Sequence, residues 1–306
     1  MSSKKIELRV GRQVLQISNP DKVLYPRDSF TKSNVIEYYT AVADTILPYL
    51  RDRPLTLKRY PDGVEKPFFY EKHCPDHRPS FVQTVNVQSE RNGGGISYCV
   101  VRDAATLIWV ANLASLELHV LLFRSAKPDR PTMMVFDLDP GAPANVLDCA
   151  RVALDFRDLL KHFALESFVK TSGSKGLHIV VPLNTAVTFD QTKPLAHAMA
   201  LLMEKADPKS VTTNMKRELR GGKVFIDWSQ NDQHKTTVCA YSLRGTARPS
   251  VSTPITWAEL SKALRANNAD GFVFSPSDVV KRIQKKGDLL EPLLQLKQKL
   301  PRGAMV

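Results

Sequence analysis

Apolar positions along this chain change period several times, and each change marks an element. "KIELRV" and "RQVLQI" alternate apolar and polar residues on either side of Gly11, the two-residue period of a strand hairpin. From Thr31, a capping position, "TKSNVIEYYTAVADTILPYL" sets Val35, Ile36, Tyr39, Val42, Ile46 and Leu50 on one stripe, which predicts a helix. A second helix is predicted over "AATLIWVANLASLELHVLL". Beyond it the type alternates: strand at 132–138, helix at 145–163, strand from Phe168 to Thr171, strand "LHIVVPL", helix at 191–206, strand "KVFIDWS". Interleaved elements of this kind argue for an α/β or α+β palm built on a sheet. No repeat or low-complexity linker interrupts it, so one domain with two lobes is expected.

One strand ends against its own pattern. "TMMVFDLD" at 132–139 is apolar enough to be buried yet closes on Asp137 and Asp139. Successive strand side chains alternate faces, so these carboxylates share one, with α-carbons roughly 6.5 to 7 Å apart from a rise of about 3.3 Å per residue. They repel each other unless something positive lies beside them. Asp227, in the apolar "KVFIDWSQN", adds a third carboxylate, unfavourable if buried alone. Such a set suits two divalent ions roughly 3.5 to 4 Å apart in an in-line phosphoryl transfer, and oxygen-only ligands select Mg²⁺ or Mn²⁺ over zinc. "VKTSGSKGLHIVVPL" sets backbone N–H groups, hydroxyls and a lysine ahead of a strand carrying His178, a means of cradling phosphate. An ordinary turn and a packed histidine are the structural alternatives.

Charge narrows the partner. Of 306 residues 43% are apolar and 24% charged, as in ordinary globular proteins, but 43 Lys and Arg against 31 Asp and Glu give a formal charge of +12. That excess favours a polyanion such as nucleic acid or an acidic membrane surface. No run of eighteen apolar residues exists, and "MSSKKIELRV" lacks the apolar core of a signal peptide, so a cytoplasmic, nucleoid-associated protein with no membrane partner is expected. Cys74, Cys99, Cys149 and Cys239 form no CxxC pair, which predicts free thiols in a reducing compartment. "KHCPDH", with His73, Cys74 and His77, lacks the complementary pair a zinc site needs.

The ordered set "FDLDP", "TSGSKGLH", "KVFIDWSQN" and "YSLRG" strongly resembles the polymerase domain of bacterial ligase D, the end-joining branch of the archaeo-eukaryotic primase superfamily. "SNPDKVLYP", "TKSNVIEYY", "RPLTLKRYPDG", "FFYEKH" and "GDLLEPL" extend the likeness over nearly the whole chain. It implies a primase-type palm with mixed sheets flanked by helices: one domain over 1–306, with DNA-end and 5′-phosphate contacts in 1–125 and the catalytic palm and C-terminal helices in 126–306. No ligase or nuclease portion is visible, so a stand-alone polymerase or an excised domain is expected.

The resemblance also implies roles. Asp137, Asp139 and Asp227 are metal ligands; Ser172, Lys175 and His178 hold the incoming triphosphate, with Arg244 and Lys235 assisting. Arg59, Lys72 and His119 sit in segments resembling other nucleotide-contacting parts. Phe69 and Tyr70 take the place of two aromatics that stack on the templating base; the family commonly has Phe at both, so Tyr70 departs slightly. Lys22 and Lys32 correspond to the pocket for a downstream 5′-phosphate, and Lys32 lies near a helix N-terminus, which favours anions. "VQSERNGGGIS" and "KRELRGGK", the latter with Arg220, resemble two loops that align DNA ends.

The implied activity is template-directed nucleotide addition that fills gaps and extends ends in non-homologous end joining. Its substrates are nucleoside triphosphates, ribonucleotides preferred, and its implied partners are 5′-phosphorylated DNA, Ku and a DNA ligase. Two rivals exist. A DxD phosphatase expects Thr or Val two residues after its second Asp and a motif near the N-terminus; here Pro140 and Gly141 follow, in mid-chain. A catalytically dead end-binding module is opposed by the intact Asp137, Asp139, Asp227 and His178.

Overall fold

The strand Met133–Pro140 answers the question its sequence poses, in a computed structural model that describes residues 5–89 and 94–301. Met134, Phe136 and Leu138 point to one face and join a buried hydrophobic core, while Asp137 and Asp139 point to the other. On the core side pack the helices Val146–His162 and Phe189–Ala206, through Cys149, Val152, Phe156 and Leu160 of the first and Leu195, Met199 and Met203 of the second. Phe136 meets Phe156 edge to face at 4.4 Å between centroids. The first helix starts where its sequence says it should. Asn145 accepts from the Leu147 N–H at 2.8 Å, and Asp148 returns an acceptor to the Asn145 N–H at 2.9 Å, which satisfies amides that the first turn leaves orphaned.

This sheet runs in the order Val211–Thr212, Val224–Asp227, Met133–Pro140, Leu177–Pro182, Phe168–Thr171, Pro254–Ile255. Its pairs are antiparallel except the first. It belongs to a compact unit formed by Leu122–Thr237, Ser252–Phe274 and Lys286–Val306.

A second unit comprises Met1–Leu121, Val238–Val251 and Ser275–Lys285. Its sheet pairs Ser115–Leu121, Leu55–Arg59, Gly94–Val100 and Gln83–Ser89 in that order, with Phe69–Glu71 also paired to Leu55–Arg59. The predicted hairpin is present as Lys5–Val10 and Gln13–Ser18, and Gly11 takes φ +58 in its turn, where a side chain would be strained.

Three expectations are corrected. The helix predicted from Thr31 is two, Lys32–Ala41 and Ala43–Leu50, because the backbone of β-branched Val42 leaves the helical region (φ −103, ψ 6). The second predicted helix holds only over Ala104–Asn112; Ala114 turns the chain at φ +57 and Ser115–Leu121 is a strand. There the apolar period drops from 3.6 to 2, with Leu116, Leu118 and Val120 facing away from Ser115, Glu117 and His119. Lastly, Cys74 and Cys99 are joined in a disulfide, while Cys149 and Cys239 are free and buried. The Cys74 N–H donates to the Ser97 carbonyl at 2.7 Å, which lays Cys74 against the strand Gly94–Val100 and brings the two α-carbons to 4.9 Å. Sequence spacing carries no trace of that contact.

Candidate active site

Strand register assembles the candidate centre. Asp137 lies opposite Asp227 on one neighbour and opposite His178 on the other, and His178 lies opposite Lys170. Directly paired residues share a face, so the sheet carries a row Asp227, Asp137, His178, Lys170, with Asp139 two residues along. His178 is buried. Its Nε2 lies 3.3 Å from Asp137 Oδ1, and Thr237 Oγ1 lies 3.3 Å from its Nδ1. Lys170, which the sequence reading passed over, is buried and donates to Ser252 Oγ at 2.7 Å. Burial first, then the negative fields of Asp139 and Asp137, push the Cys149 thiol beneath them well up, so it stays neutral.

Asp227 ends its strand and caps a single turn of 3₁₀ helix, Trp228–Gln230. Its Oδ1 accepts from the Ser229 N–H at 2.9 Å and from Ser229 Oγ at 2.6 Å, and its Oδ2 accepts from Gln230 Nε2 at 2.8 Å. Buried Asn231 ties this turn to the acidic strand: its Oδ1 accepts from the Val135 N–H at 2.9 Å and its Nδ2 donates to the Val135 carbonyl at 2.7 Å. Trp228 stacks on His197 at 3.9 Å.

The small-residue loop passes close by. A Cβ on Gly176 would stand 2.0 Å from the Leu138 carbonyl oxygen and 3.5 Å from Asp139 Oδ1, so only glycine lets the loop approach the acidic strand. Buried Ser172 braces the loop, its Oγ accepting from the Gly176 N–H at 3.1 Å and the Ser174 N–H at 3.2 Å. Lys175 and Lys235 are exposed, Lys175 in this loop and Lys235 between Asp227 and the strand Thr236–Val238. Arg220 lays its guanidinium 3.5 Å from the Phe225 ring centroid and donates to the Met215 carbonyl at 2.6 Å.

The second unit gathers several of the predicted contacts around a residue the sequence reading missed. Tyr70, Lys58 and Glu117 are successive partners across three strands. Glu117 is buried; Lys58 Nζ lies 2.8 Å from its Oε1, and His119 Nε2 and Arg244 Nε each lie 3.0 Å from its Oε2. Arg59 pairs with Glu71 at 2.9 Å and holds its guanidinium 5.2 Å from the Phe69 ring centroid. Phe69 and Tyr70 are 43% and 55% exposed, so they are no core pair. Lys72 is exposed beside them.

Lys32 opens its helix as expected, behind Thr31 and Asn34 in a reciprocal cap. Its ammonium is buried, donating to the carbonyls of Ser18 at 2.7 Å and Asn112 at 2.9 Å. Burial, with Lys22 and Arg59 nearby, pushes its pKa down to about 8. The Lys32 N–H donates to the Lys22 carbonyl at 2.9 Å, and the Lys22 side chain pairs with Asp62 at 2.7 Å. Of the segment Val87–Ser97, Glu90–Gly93 lies outside the described residues.

A mixed sheet backed by two helices carries carboxylates and a histidine in a row on its other face, the arrangement implied by the resemblance to primase-type polymerases. The chain belongs to the LigD primase-polymerase domain family, whose pattern matches residues 31–290. It is 41% identical over 292 residues to the multifunctional non-homologous end joining protein LigD of Mycobacterium bovis, covering 92% of this chain and 37% of that one. With the bifunctional LigD of Bacillus subtilis the identity is 33% over 274 residues, covering 89% and 43%. The chain thus spans under half the length of these curated relatives. Among solved structures, the polymerase domain of Mycobacterium tuberculosis ligase D in complex with DNA superposes with a TM-score of 0.84 at 40% identity, covering 93% of this chain and 99% of that one. Among the described residues, no helix is long and apolar enough to cross a membrane.

Proposed function

We propose that this chain adds nucleotides to DNA under the direction of a template, filling gaps and extending ends in non-homologous end joining. The observation that carries the reading is the row Asp227, Asp137, His178, Lys170 with Asp139 beside it. Among the described residues no three His, Cys, Asp or Glu side chains form a ready-made ion cage, and both Asp227 oxygens accept hydrogen bonds within its own turn. The donor chemistry nonetheless fits: Asp137, Asp139 and Asp227 offer only hard oxygens, which suit Mg²⁺ or Mn²⁺. When bound, two such ions supply charge stabilisation for an in-line phosphoryl transfer.

The protein's own groups do the rest. In the palm unit Ser172, Lys175, His178 and Lys235 receive the triphosphate, with the loop amides braced by Ser172. In the other unit Arg59, Lys72, His119 and Arg244 contact the nucleotide, Phe69 and Tyr70 stack on template bases, and Lys22 and Lys32 take a 5′-phosphate. Arg220 helps align ends. Exposed aromatics suit a templated enzyme because stacking tolerates any base. Ku and a DNA ligase are the partners this role requires, ribonucleotides the preferred substrates, and the nucleoid its place of work. An extension assay on gapped DNA with Mn²⁺ and each class of nucleotide tests the reading. Templated addition supports it; DNA binding without addition favours a dead end-binding module, and phosphate release without addition favours a phosphatase.

A further inference from the structure

Within the second unit, one carboxylate touches every group in its cluster. Glu117 Oε1 accepts from Lys58 Nζ at 2.8 Å, Tyr60 Oη at 2.7 Å and the Gly245 N–H at 3.1 Å. Its Oε2 faces His119 Nε2 and Arg244 Nε, each at 3.0 Å. A carboxylate has about four acceptor sites; the hydrogen bonds from Lys58, Tyr60, Gly245 and His119 fill them, and Arg244 adds an ion pair. Only 2% of the Glu117 side chain is exposed, against 13% for Lys58 and His119 and 17% for Arg244. The carboxylate is the floor and the cations stand nearer the surface.

We propose that Glu117 is a positioning residue for nucleotide binding, holding Lys58, His119 and Arg244 as one fixed array of donors. The inference rests on the polymerase reading, in which His119 and Arg244 meet the nucleotide. Long cationic side chains lose rotamer freedom when they bind; held in advance, they lose little on meeting a triphosphate. Burial alone would raise the Glu117 carboxyl, but the hydrogen bond from His119, the charge of Arg244 and the hydrogen bond from Lys58 outweigh it and hold it far below the carboxylate range. Burial lowers the His119 imidazole against the pull of Glu117. With His119 neutral, one anion meets two cations, and the surplus positive charge suits a polyphosphate. An ionised carboxylate only accepts, so the neutral imidazole carries its proton on Nε2.

The test compares the full chain with Glu117→Gln, which keeps the shape but offers one acceptor oxygen and two donors. Affinity for a non-hydrolysable nucleoside triphosphate, by calorimetry without DNA, is expected to fall about tenfold, and KM on gapped DNA to rise equally with kcat within about threefold. By NMR the His119 imidazole titrates at lower pH in the variant. A folded variant with unchanged affinity and KM, or an imidazole that does not move, overturns the proposal. Should the wild type bind triphosphate yet add nothing to DNA, the polymerase reading fails while the positioning role stands. Absence of triphosphate binding by the wild type overturns both. If the variant does not fold, imidazole ¹⁵N shifts of the wild type decide: a neutral ring protonated on Nδ1 contradicts the array.

Discussion

Asp137 looks anomalous in sequence and ordinary in its sheet, where Asp227 and His178 are its direct partners. Lys32 is the reverse: ordinary in sequence, unusual in place, its ammonium buried against two carbonyls. Its pKa of about 8 in the folded chain lies below the ordinary 10.5. Burial therefore opposes folding while the amine is charged in both states, below about pH 8, and that penalty fades as pH rises from about 8 toward 10.5. If Lys32 takes the 5′-phosphate as proposed, the same loss of charge weakens that contact. Preference for 5′-phosphorylated over 5′-hydroxyl gapped DNA should decline as pH passes about 8, and Lys32→Arg, which stays charged, should flatten the curve; titrations at matched salt check this. A preference indifferent to pH in the wild type removes Lys32 from the pocket. The three aspartates and the loop were legible because carboxylates in apolar strands and clustered small residues are locally odd. Lys170 and Glu117 were not, since what marks them is a partner across the sheet.

At the scale of elements, what the sequence showed and hid follows period. The palm strands and helices emerge at nearly their observed bounds because each keeps one period throughout. "AATLIWVANLASLELHVLL" changes period at Ala114 without a proline or glycine to mark it, and reading it as one helix concealed that Glu117 and His119 share a strand face. Two element-level outcomes follow. Asn231→Ala strips both hydrogen bonds from buried Val135, and each orphaned group costs about 1 to 3 kcal/mol, so the urea midpoint should fall with the slope unchanged. A midpoint equal to wild type refutes the tie between the Asp227 turn and the acidic strand. Replacing Phe69 and Tyr70 by Ala should leave that midpoint nearly alone, because both rings are exposed, while templated addition weakens by about 1 to 3 kcal/mol per lost stack. Collapse of the fold in this double variant contradicts a template platform.

For the whole molecule, the +12 formal charge makes DNA affinity an electrostatic quantity, falling linearly in log–log against salt with a slope set by the phosphates neutralised. Lys22→Ala should lower the slope by about 1 on 5′-phosphorylated DNA and leave it unchanged on 5′-hydroxyl DNA; equal changes on both make Lys22 part of a general basic surface. On the proposed function, affinity and chemistry are carried by different residues, cations for the one and carboxylates for the other. The most direct test of that division follows templated nucleotide addition on 5′-phosphorylated gapped DNA with Mn²⁺, alongside DNA affinity, for the wild type, Asp137→Ala and Asp227→Ala. Both variants should lose addition roughly a hundredfold or more while binding DNA within about twofold of wild type. Addition at near wild-type rates by either variant contradicts the account.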